Sequence, residues 1–521
     1  MKKNLAMCIT ALTLHAALAT PIHVAAQELT PTHHHYKLVD LGTFGGPSSF
    51  VSIEPGQNII NSHGMVVGSA DTSIPTPEPA CYSPNLNPDC FISHAFLWSG
   101  NGLKDLGTLP GGDDSFASAI NQAGQIAGLS ENDQIDPTTG NPEFHAVLWE
   151  NDKIRDLGTF GGTASIASTL NDFGQITGLA LNTVPDPYSL LGLGSGQTLT
   201  QTRGFLWQNG KMEDLGTLGG PDTWAVFINN LGQIAGTSYT SYVVDPNTGT
   251  PPVGVFLWHN GKMKNLGNLG GNNGILGAYN IVNALNNRGE VTGAMMAADN
   301  YWIHAFLWDG AKLSDLGALG GNGAFARGID DAGEVTGLAN LQGDQVNHGF
   351  LWRKGVMTDL GTLGGDPCSD ALSVNSNGQV VGASQSEAGG CNEWTTAFLW
   401  ENGGPSVDLN SLVMSASGAY LNVGFWTNAS GEIVAGGIPA GCNYAHTCGH
   451  TYLLIPCDDN HPGIEGCDYG LVDAAAATHE SPAPAMHKPT TEAQPTLRPF
   501  RRPPDLHPGQ TGARNKAELQ P

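Results

Sequence analysis

A histidine and an aspartate recur together along this chain, and they are the first residues whose types could do chemistry. In one copy, a His-Ala-Phe-Leu-Trp segment runs from His304 to Trp308 and is followed by Asp315, which begins Asp-Leu-Gly. A carboxylate beside an imidazole can serve general acid–base catalysis. Because the pair returns in repeat after repeat, it is not special to one site. We therefore predict a structural role, in which the aspartate binds turn amides or the histidine of the neighbouring strand.

Asp-Leu-Gly is one of three anchors of a repeat that returns eight times between residues 36 and 456. Its first residue is Asp40, Asp105, Asp156, Asp214, Asn265, Asp315, Asp359 or Asp408. The second anchor is an Asn/Asp-x-x-Gly turn, which begins at Asn61, Asn121, Asn171, Asn229, Asn286, Asp330, Asn375 or Asn428. In this turn the asparagine caps the backbone and the glycine supplies a positive φ. We expect the following strand to end at a further glycine, Gly128 in the clearest copy.

The third anchor is an aromatic strand that ends in Phe-Leu-Trp in most copies. The tryptophans are Trp98, Trp149, Trp207, Trp258, Trp308, Trp352 and Trp400. Strand alternation places the aromatic residues on one face and the leucine on the other. Both faces are apolar, so the strand is expected to lie between two layers. Trp98 and Trp308 are accordingly interpreted as core residues rather than as a platform for stacking sugars.

Each repeat supplies four short strands in up-and-down order, which predicts an all-β protein with eight four-stranded blades in a β-propeller. The chain begins with an Asp-Leu-Gly strand at residues 36–41 and ends with an aromatic-type strand at 450–455. Pairing these two strands would complete one blade and remove the free edges. Seven blades and a β-solenoid are the alternatives.

The recurring His-Ala-Phe and Asp-Leu-Gly-Thr-Leu-Gly-Gly segments resemble the bacterial HAF-type extracellular repeat family, over about four fifths of the chain. The resemblance implies export and a propeller fold, and it carries no assigned reaction. The chain departs from the motif where Arg203, Gly254 and Thr396 replace the histidine.

The charge balance disfavours two classes of partner. The 521 residues carry a formal net charge of −26, and 13 % of them are charged. This acidity argues against nucleic acid and against an anionic membrane surface. After residue 26, no apolar run approaches the ~20 residues that a transmembrane helix needs.

A basic start, an apolar run and small residues before residue 27 predict a signal peptide. The protein is therefore expected to be secreted, or to reside in the periplasm or cell envelope. The predicted organisation is a signal peptide at 1–26, a linker at 27–35, the repeat propeller at 36–456, a small cystine-bounded segment at 457–471 and a disordered Pro/Ala-rich tail at 472–521.

Eight cysteines follow the leader, an even number that suits disulfides in an oxidising compartment. Proximity in sequence pairs them as Cys81/Cys90, Cys368/Cys391, Cys442/Cys448 and Cys457/Cys467. Because eight cysteines allow 105 connectivities, this pairing is a prediction from proximity alone.

The sequence predicts no cofactor and no zinc site. The pairs Asp113-Asp114 and Asp330-Asp331 could contribute oxygen ligands to a structural calcium, although the twelve-residue calcium loop is absent. The run from His33 to His35 is interpreted as part of the polar linker.

Insertions at residues 69–93, 129–144, 179–202 and 237–253 occupy the same position in their repeats and should lie on one face of the disc. Loops on a rigid scaffold are common recognition surfaces. We therefore expect a monomeric binding module, with a glycan or protein ligand outside the cell or in the envelope, and no catalytic residues. The alternative is a hydrolase or lyase with a site at the axis. Convergent carboxylates there would favour the enzyme, and an apolar channel would favour the binding module.

Overall fold

The computed structural model contains eight four-stranded antiparallel sheets in a ring, which is the arrangement of an eight-bladed β-propeller. The structure describes residues 32–52, 57–76, 90–192, 199–246, 249–271, 280–299, 301–386, 391, 393–414, 418–442 and 445–473. The predicted signal peptide lies outside these residues. In the part of the chain that is described, no helix has the length and apolar character needed to cross a membrane.

Each of blades 1 to 8 contains four strands. From blade 1 to blade 8, the first strands are Gly45–Phe50, Ser115–Ile120, Ser165–Leu170, Thr223–Ile228, Ile281–Leu285, Gly320–Ile329, Cys368–Val374 and Tyr420–Thr427. The second strands are Val66–Pro75, Ile126–Ile135, Ile176–Asp186, Ile234–Tyr239, Val291–Met296, Val335–Leu341, Val380–Ser386 and Ile433–Ile438. The third strands are Phe91–Trp98, Pro142–Glu150, Leu199–Gln208, Val253–His259, Ile303–Trp308, Asn347–Arg353, Glu393–Trp400 and His450–Pro456. The fourth strands are Leu103–Asp105, Lys153–Gly158, Lys211–Asp214, Lys262–Asn265, Leu313–Asp315, Val356–Asp359, Val407–Asp408 and Tyr36–Asp40.

Blade 8 is assembled from both ends of the repeat region. Tyr36–Asp40 pairs antiparallel with His450–Pro456, and Tyr36 lies opposite Pro456. This confirms the predicted closure, and it excludes the seven-bladed and solenoid alternatives. A second contact between the ends was not predicted. Thr32–His34, assigned to the linker, pairs with Leu471–Asp473 at the start of the assigned tail.

In the part of the chain that the structure describes, helical structure is confined to single turns. These are the 3₁₀ turn Leu190–Gly192 and the four-residue helices Leu409–Leu412 and Ala445–Cys448.

The hydrophobic core lies between neighbouring blades. Phe306 and Trp308 of blade 5 pack with residues of blade 4 such as Phe227. Leu307 lies between them in the strand and packs against blade 6, in a cluster with Phe350. The alternation predicted from the sequence therefore joins each blade to both of its neighbours. The buried strand tryptophans are Trp98, Trp149, Trp207, Trp258, Trp308 and Trp400.

The glycine expected to end the second strand does not end it. In blade 2 the strand continues seven residues past Gly128, to Ile135. Gly128 lies opposite Ala117 beside a bulge in the first strand. A Cβ at Gly128 would meet the carbonyl oxygen of Phe116 at 2.0 Å and the Trp149 ring at 2.9 Å. The glycine is therefore required by close approach of the backbone, and the strand continues into the insertion.

A ring of asparagine side chains joins the blades on the face that carries the Asn-x-x-Gly turns, which we call the turn face. Within one turn, Asn121 Oδ1 accepts hydrogen bonds from the amides of Ala123 and Gln125, which confirms the predicted cap. The Asn121 amide group also donates to the carbonyl oxygen of Asn171 in the next blade, at 3.0 Å. The equivalent links are Asn61 to Asn121, Asn171 to Asn229, Asn229 to Asn286, Asn286 to Asp330, Asn375 to Asn428, and Asn428 to Asn61.

The asparagine ring is interrupted at blade 6, where the equivalent residue is Asp330. A carboxylate has no N–H to donate to the carbonyl oxygen of Asn375. The Oδ2 atom of Asp330 is buried and has no hydrogen-bond partner among the described residues. Burial, followed by the charge of Glu334, raises the pKa of Asp330 above its ordinary value.

Asp330→Asn should raise the free energy of unfolding by about 1 kcal/mol at pH 7, because it supplies the missing donor and removes a poorly solvated charge. The raised pKa means that wild-type Asp330 favours folding when protonated, so the advantage of the variant should shrink as the pH falls. Urea denaturation at pH 7 and pH 4 measures both effects. Asn171→Asp is the reverse control and should destabilise. Equal stability of Asp330→Asn and wild type at pH 7 would contradict the assignment.

Gly128→Ala should lower the free energy of unfolding by about 1–3 kcal/mol, because the first strand must move to accommodate the methyl group. Gly254→Ala is the matched control. A Cβ there would meet only side-chain atoms, at 3.0–3.2 Å, and these can yield. Thermal or chemical denaturation compares the two variants, and equal losses would argue against the close-approach explanation.

Candidate functional site

The recurring histidines and aspartates form pairs within their own blades. His304 Nδ1 lies 2.6 Å from Asp315 Oδ2, and His94 Nδ1 lies 2.8 Å from Asp105 Oδ2. The other carboxylate oxygen accepts an amide hydrogen bond in the Asp-Leu-Gly turn, as between Gly107 and Asp105. Further pairs join His145 to Asp156, His348 to Asp359, and His450 to Asp40. The aspartate thus contacts both the histidine of the neighbouring strand and the turn amides, the two partners named for a structural role.

One departure from the motif preserves this contact, and the others do not. Arg203 replaces the histidine in blade 3 and binds Asp214 through two nitrogen atoms, at 2.9 and 3.1 Å. Thr396 instead shares a hydrogen bond with the hydroxyl of Tyr420, in the next blade. Gly254 has no side chain to pair. The repeated position thus tolerates change, as expected of a structural rather than a catalytic pair.

The axis of the disc is lined by the first strands, which contact one another between adjacent blades from blade 2 to blade 8. In seven blades, the pairing of the first strand with the second shifts register at the equivalent position of the first strand. In blade 6 the shift falls between Ala326 and Gly328, so Arg327 has no opposite residue in the second strand. It donates to the buried carboxylate of Asp370 in blade 7 at 2.8 Å, and its guanidinium lies over the ring of Phe325 at 4.7 Å.

The first strands of blades 1 to 4 also carry large apolar side chains. Phe50 of blade 1 and Phe116 of blade 2 stack with their ring centroids 5.9 Å apart. They belong to a cluster that continues through Ile166 of blade 3 to Trp224 of blade 4. The first strands therefore place four large apolar residues across blades 1 to 4 and one ion pair across blades 6 and 7.

Buried carboxyl groups lie at the ends of the first and second strands, where the insertions begin. Asp114 accepts the amide of Ser93 from blade 1 at 2.6 Å. Burial and the charge of Glu131 raise the pKa of Asp114 to about 8. Burial also raises the pKa of Glu131, whose carboxylate accepts the amide of Asp114. These acids hold the insertion of blade 2 against its neighbour.

The same position in blade 4 is occupied by Asp222. Its two oxygens accept the amides of Leu190 and Thr202, both from blade 3. Burial and the nearby charge of Asp186 raise the pKa of Asp222 to about 8. Asp222 is fully buried, so its carboxyl group fixes a loop and does not face solvent.

The face that carries the insertions, which we call the loop face, bears exposed apolar side chains in five consecutive blades. Tyr242 is 67 % exposed and Tyr301 is 73 % exposed. Among the described residues, this set comprises Ile74, Ile135 and Val184 at the ends of second strands and Tyr242, Val243 and Tyr301 in the connections to the third strands. The sequence predicted this face but not these residues. The signal that could have identified them was the presence of large apolar residues in segments that are otherwise polar.

The residues considered for calcium make other contacts. Asp330 Oδ1 accepts the amides of Ala332 and Glu334 in its turn, and Asp114 binds the amide of Ser93. Among the residues whose structure is described, no group of three or more His, Cys, Asp or Glu side chains is placed to hold a metal ion.

Three of the four predicted disulfides are present. They join Cys368 to Cys391, Cys442 to Cys448, and Cys457 to Cys467. Cys81 lies outside the described residues, so its pairing with Cys90 stays a prediction. His33, assigned to the linker, is fully buried and its Nδ1 lies 2.8 Å from Glu401 of blade 7.

Neither a protein-family model nor a curated protein matches the sequence. Among solved structures, the chain is similar to the β-propeller domain of the Trilobed protease from Pyrococcus furiosus. The identity is 10 % and the TM-score 0.38, over 72 % of this chain and 95 % of that one.

Two further similar structures are longer peptidases. For the Pyrococcus horikoshii acylaminoacyl peptidase, the identity is 9 % and the TM-score 0.40, over 69 % of this chain and 52 % of that one. For the Porphyromonas gingivalis dipeptidyl peptidase 4, the values are 11 % and 0.42, over 74 % of this chain and 57 % of that one. This chain thus spans just over half the length of each, and the likeness is one of fold alone.

The pair of His94 and Asp105 should stabilise the fold most between about pH 4 and pH 6.5. The hydrogen bond that His94 donates to Asp105 raises the pKa of His94 above 6.5, so its contribution is complete below that value and disappears as the pH rises through the folded-state pKa. Burial opposes ionisation of Asp105, but hydrogen bonds from His94 and Gly107 lower its pKa below 3.8 overall. Its contribution is therefore lost as the pH falls through that lower value.

His94→Gln should consequently lower the free energy of unfolding by about 0.2–1 kcal/mol near pH 5.5 and by less near pH 9. Denaturation curves of variant and wild type at the two pH values measure the difference. A cost that does not change with pH would contradict a contribution from the charged pair.

Proposed function

We propose that this protein is a monomeric binding module of the cell exterior or envelope, which recognises a glycan or protein through its loop face. The observation that carries the proposal is the arc of exposed apolar residues on the loop face of blades 1 to 5. Exposed apolar side chains that collect on one surface mark interaction sites more often than scattered ones do. Tyrosine is also enriched at the centres of protein interfaces.

The polar groups of the scaffold support binding rather than catalysis. The repeated aspartates are occupied by histidines and turn amides, and Asp222 is occupied by two loop amides. Within the described first strands that line the axis, the charged residues are Arg327 and Asp370, which pair with each other across two blades. Such a pair differs from the two carboxyl groups that glycoside hydrolysis commonly uses.

An exported location is supported by the predicted signal peptide and by the disulfides at Cys368, Cys442 and Cys457. Structural disulfides persist in oxidising compartments. A monomer is supported by closure of the ring, since blade 8 is completed by strands of the same chain and needs none from a second copy.

The test is retention on a panel of immobilised polysaccharides and envelope proteins, with product release measured in parallel. Tyr242→Ser with Tyr301→Ser should lower the affinity for a retained ligand about tenfold or more, as loss of interface anchors does. Phe173→Ser with Leu231→Ser is the matched control, because these residues are exposed on the turn face. Release of product by the wild-type protein, or equal losses in the two variants, would overturn the proposal.

A further inference from the structure

The insertions of the loop face carry negative charge and no positive charge. The segments 69–93, 129–144, 179–202 and 237–253 contain nine Asp or Glu residues and no Lys or Arg. Four of these acids are buried, namely Asp71, Glu131, Asp136 and Asp186, and do not contribute to the surface. Asp133, in the second of these, is exposed. In blade 5 the exposed Asp299 accepts the amides of Tyr301 and Trp302, which lower its pKa and keep it charged.

The apolar residues of this face are positioned by the repeat. Ile74, Val184 and Tyr242 each follow the first residue of their second strand by eight positions. Equivalent positions in successive blades lie at equivalent heights on the disc. Tyr301 packs edge-on against Trp302, with centroids 5.1 Å apart, beside the carboxylate of Asp299. The loop face thus combines aromatic rings with acidic side chains.

The cations of the blades lie mainly away from this face. Ten are in the fourth strands, in the turns that precede or follow them, or in the Asn-x-x-Gly turns: Lys37, Lys104, Lys153, Arg155, Lys211, Lys262, Lys264, Arg288, Lys312 and Lys354. Arg353 ends the third strand of blade 6 and pairs with Glu334. Arg203 and Arg327 are held by Asp214 and Asp370. A cationic partner of the loop face therefore has to come from outside the blades.

The same chain contains a segment of complementary chemistry. Residues 498–516 include five Arg or Lys, one Asp and four Pro, and the first seven read Arg-Pro-Phe-Arg-Arg-Pro-Pro. Proline-rich segments bind grooves lined with aromatic residues, because they lose little conformational entropy on binding. Arginine adds ion pairs with carboxylates and contacts with aromatic rings.

The intervening chain is long enough for this contact. Residues 474–497 separate the segment from Asp473, the last described residue. At about 3.1 Å per residue, these 24 residues span up to about 75 Å. The longest blade strand, Ile176–Asp186, has 11 residues, or about 36 Å at 3.3 Å per residue. The segment can therefore reach the loop face from either side of the disc.

We propose that residues 498–516 dock on the loop face of their own chain, with the arginines against its carboxylates and the prolines against Tyr242 and Tyr301. Tethering makes this contact intramolecular, at an effective concentration in the millimolar range. The docked segment covers the surface to which ligand binding was assigned above, and an external ligand has to displace it. The docking itself does not depend on that assignment, since it follows from charge and shape alone.

The test is carbodiimide crosslinking of the full chain, which joins a lysine amine to a carboxylate in direct contact. We expect Lys516 to couple, within monomeric protein, to exposed acids of the loop face such as Asp133 and Asp299, and the products to disappear in 1 M NaCl because salt screens exposed charges. Peptide mass spectrometry locates the linked pairs. Reversing Arg498, Arg501 and Arg502 to Glu should lower the yield at least fivefold.

Reversing Lys211, Lys262 and Lys312 to Glu changes the charge equally on exposed residues outside the loop face, and should leave the yield unchanged. Crosslinks of Lys516 to the exposed acids Glu213 and Asp309 in place of the acids of the loop face would overturn the proposal. Crosslinks found only in covalent dimers would overturn docking within one chain. Ligand retention by the arginine variant, measured on the same panel, separates failure of docking from failure of the proposed function.

Discussion

The structure depends on one strand pairing, that of Tyr36–Asp40 with His450–Pro456. It joins residues more than 400 positions apart and converts a row of sheets into a ring. Each blade exposes two apolar faces, and only a closed ring covers both faces of every blade. The asparagine links between adjacent turns follow the same circle and return from Asn428 to Asn61 at 3.0 Å. Closure is therefore the condition under which the other contacts form.

Polar residues that recur in each repeat and residues that can recognise a ligand lie in different parts of the ring. Repeated polar side chains satisfy one another, as His304 does with Asp315 and Asn121 with Asn171. The residues that occur once collect at the axis and on the loop face. There the buried carboxyl groups of Asp114 and Asp222 hold the insertions to the blades, and this leaves apolar residues such as Tyr242 exposed. A rigid scaffold thus presents an adaptable surface at one end.

Much of the fold could be predicted from the sequence, because a periodic sequence indicates which contacts recur in every repeat. The three anchors located the strands, and the unmatched end strands gave the closure. The failures concern contacts that join distant positions. Gly128 was interpreted as a strand end, but a bulge in another strand and Trp149 require it. His33 was assigned to a linker, but it is buried against Glu401, 368 residues away. Local sequence patterns do not indicate which distant residues become neighbours in the fold.

The sequence by itself determined the eightfold repeat, its strand order, the turn chemistry and the expected pairing of the end strands, since each follows from spacing and alternation along the chain. Only the tertiary structure decided between eight blades and seven, and which side chains meet across blades. It placed Arg327 on Asp370, Asp330 at the gap in the asparagine ring, and the exposed apolar residues of five blades on one face. The reason is geometric: periodicity fixes where a residue stands in its own repeat, whereas its neighbours depend on how the repeats are placed around the axis.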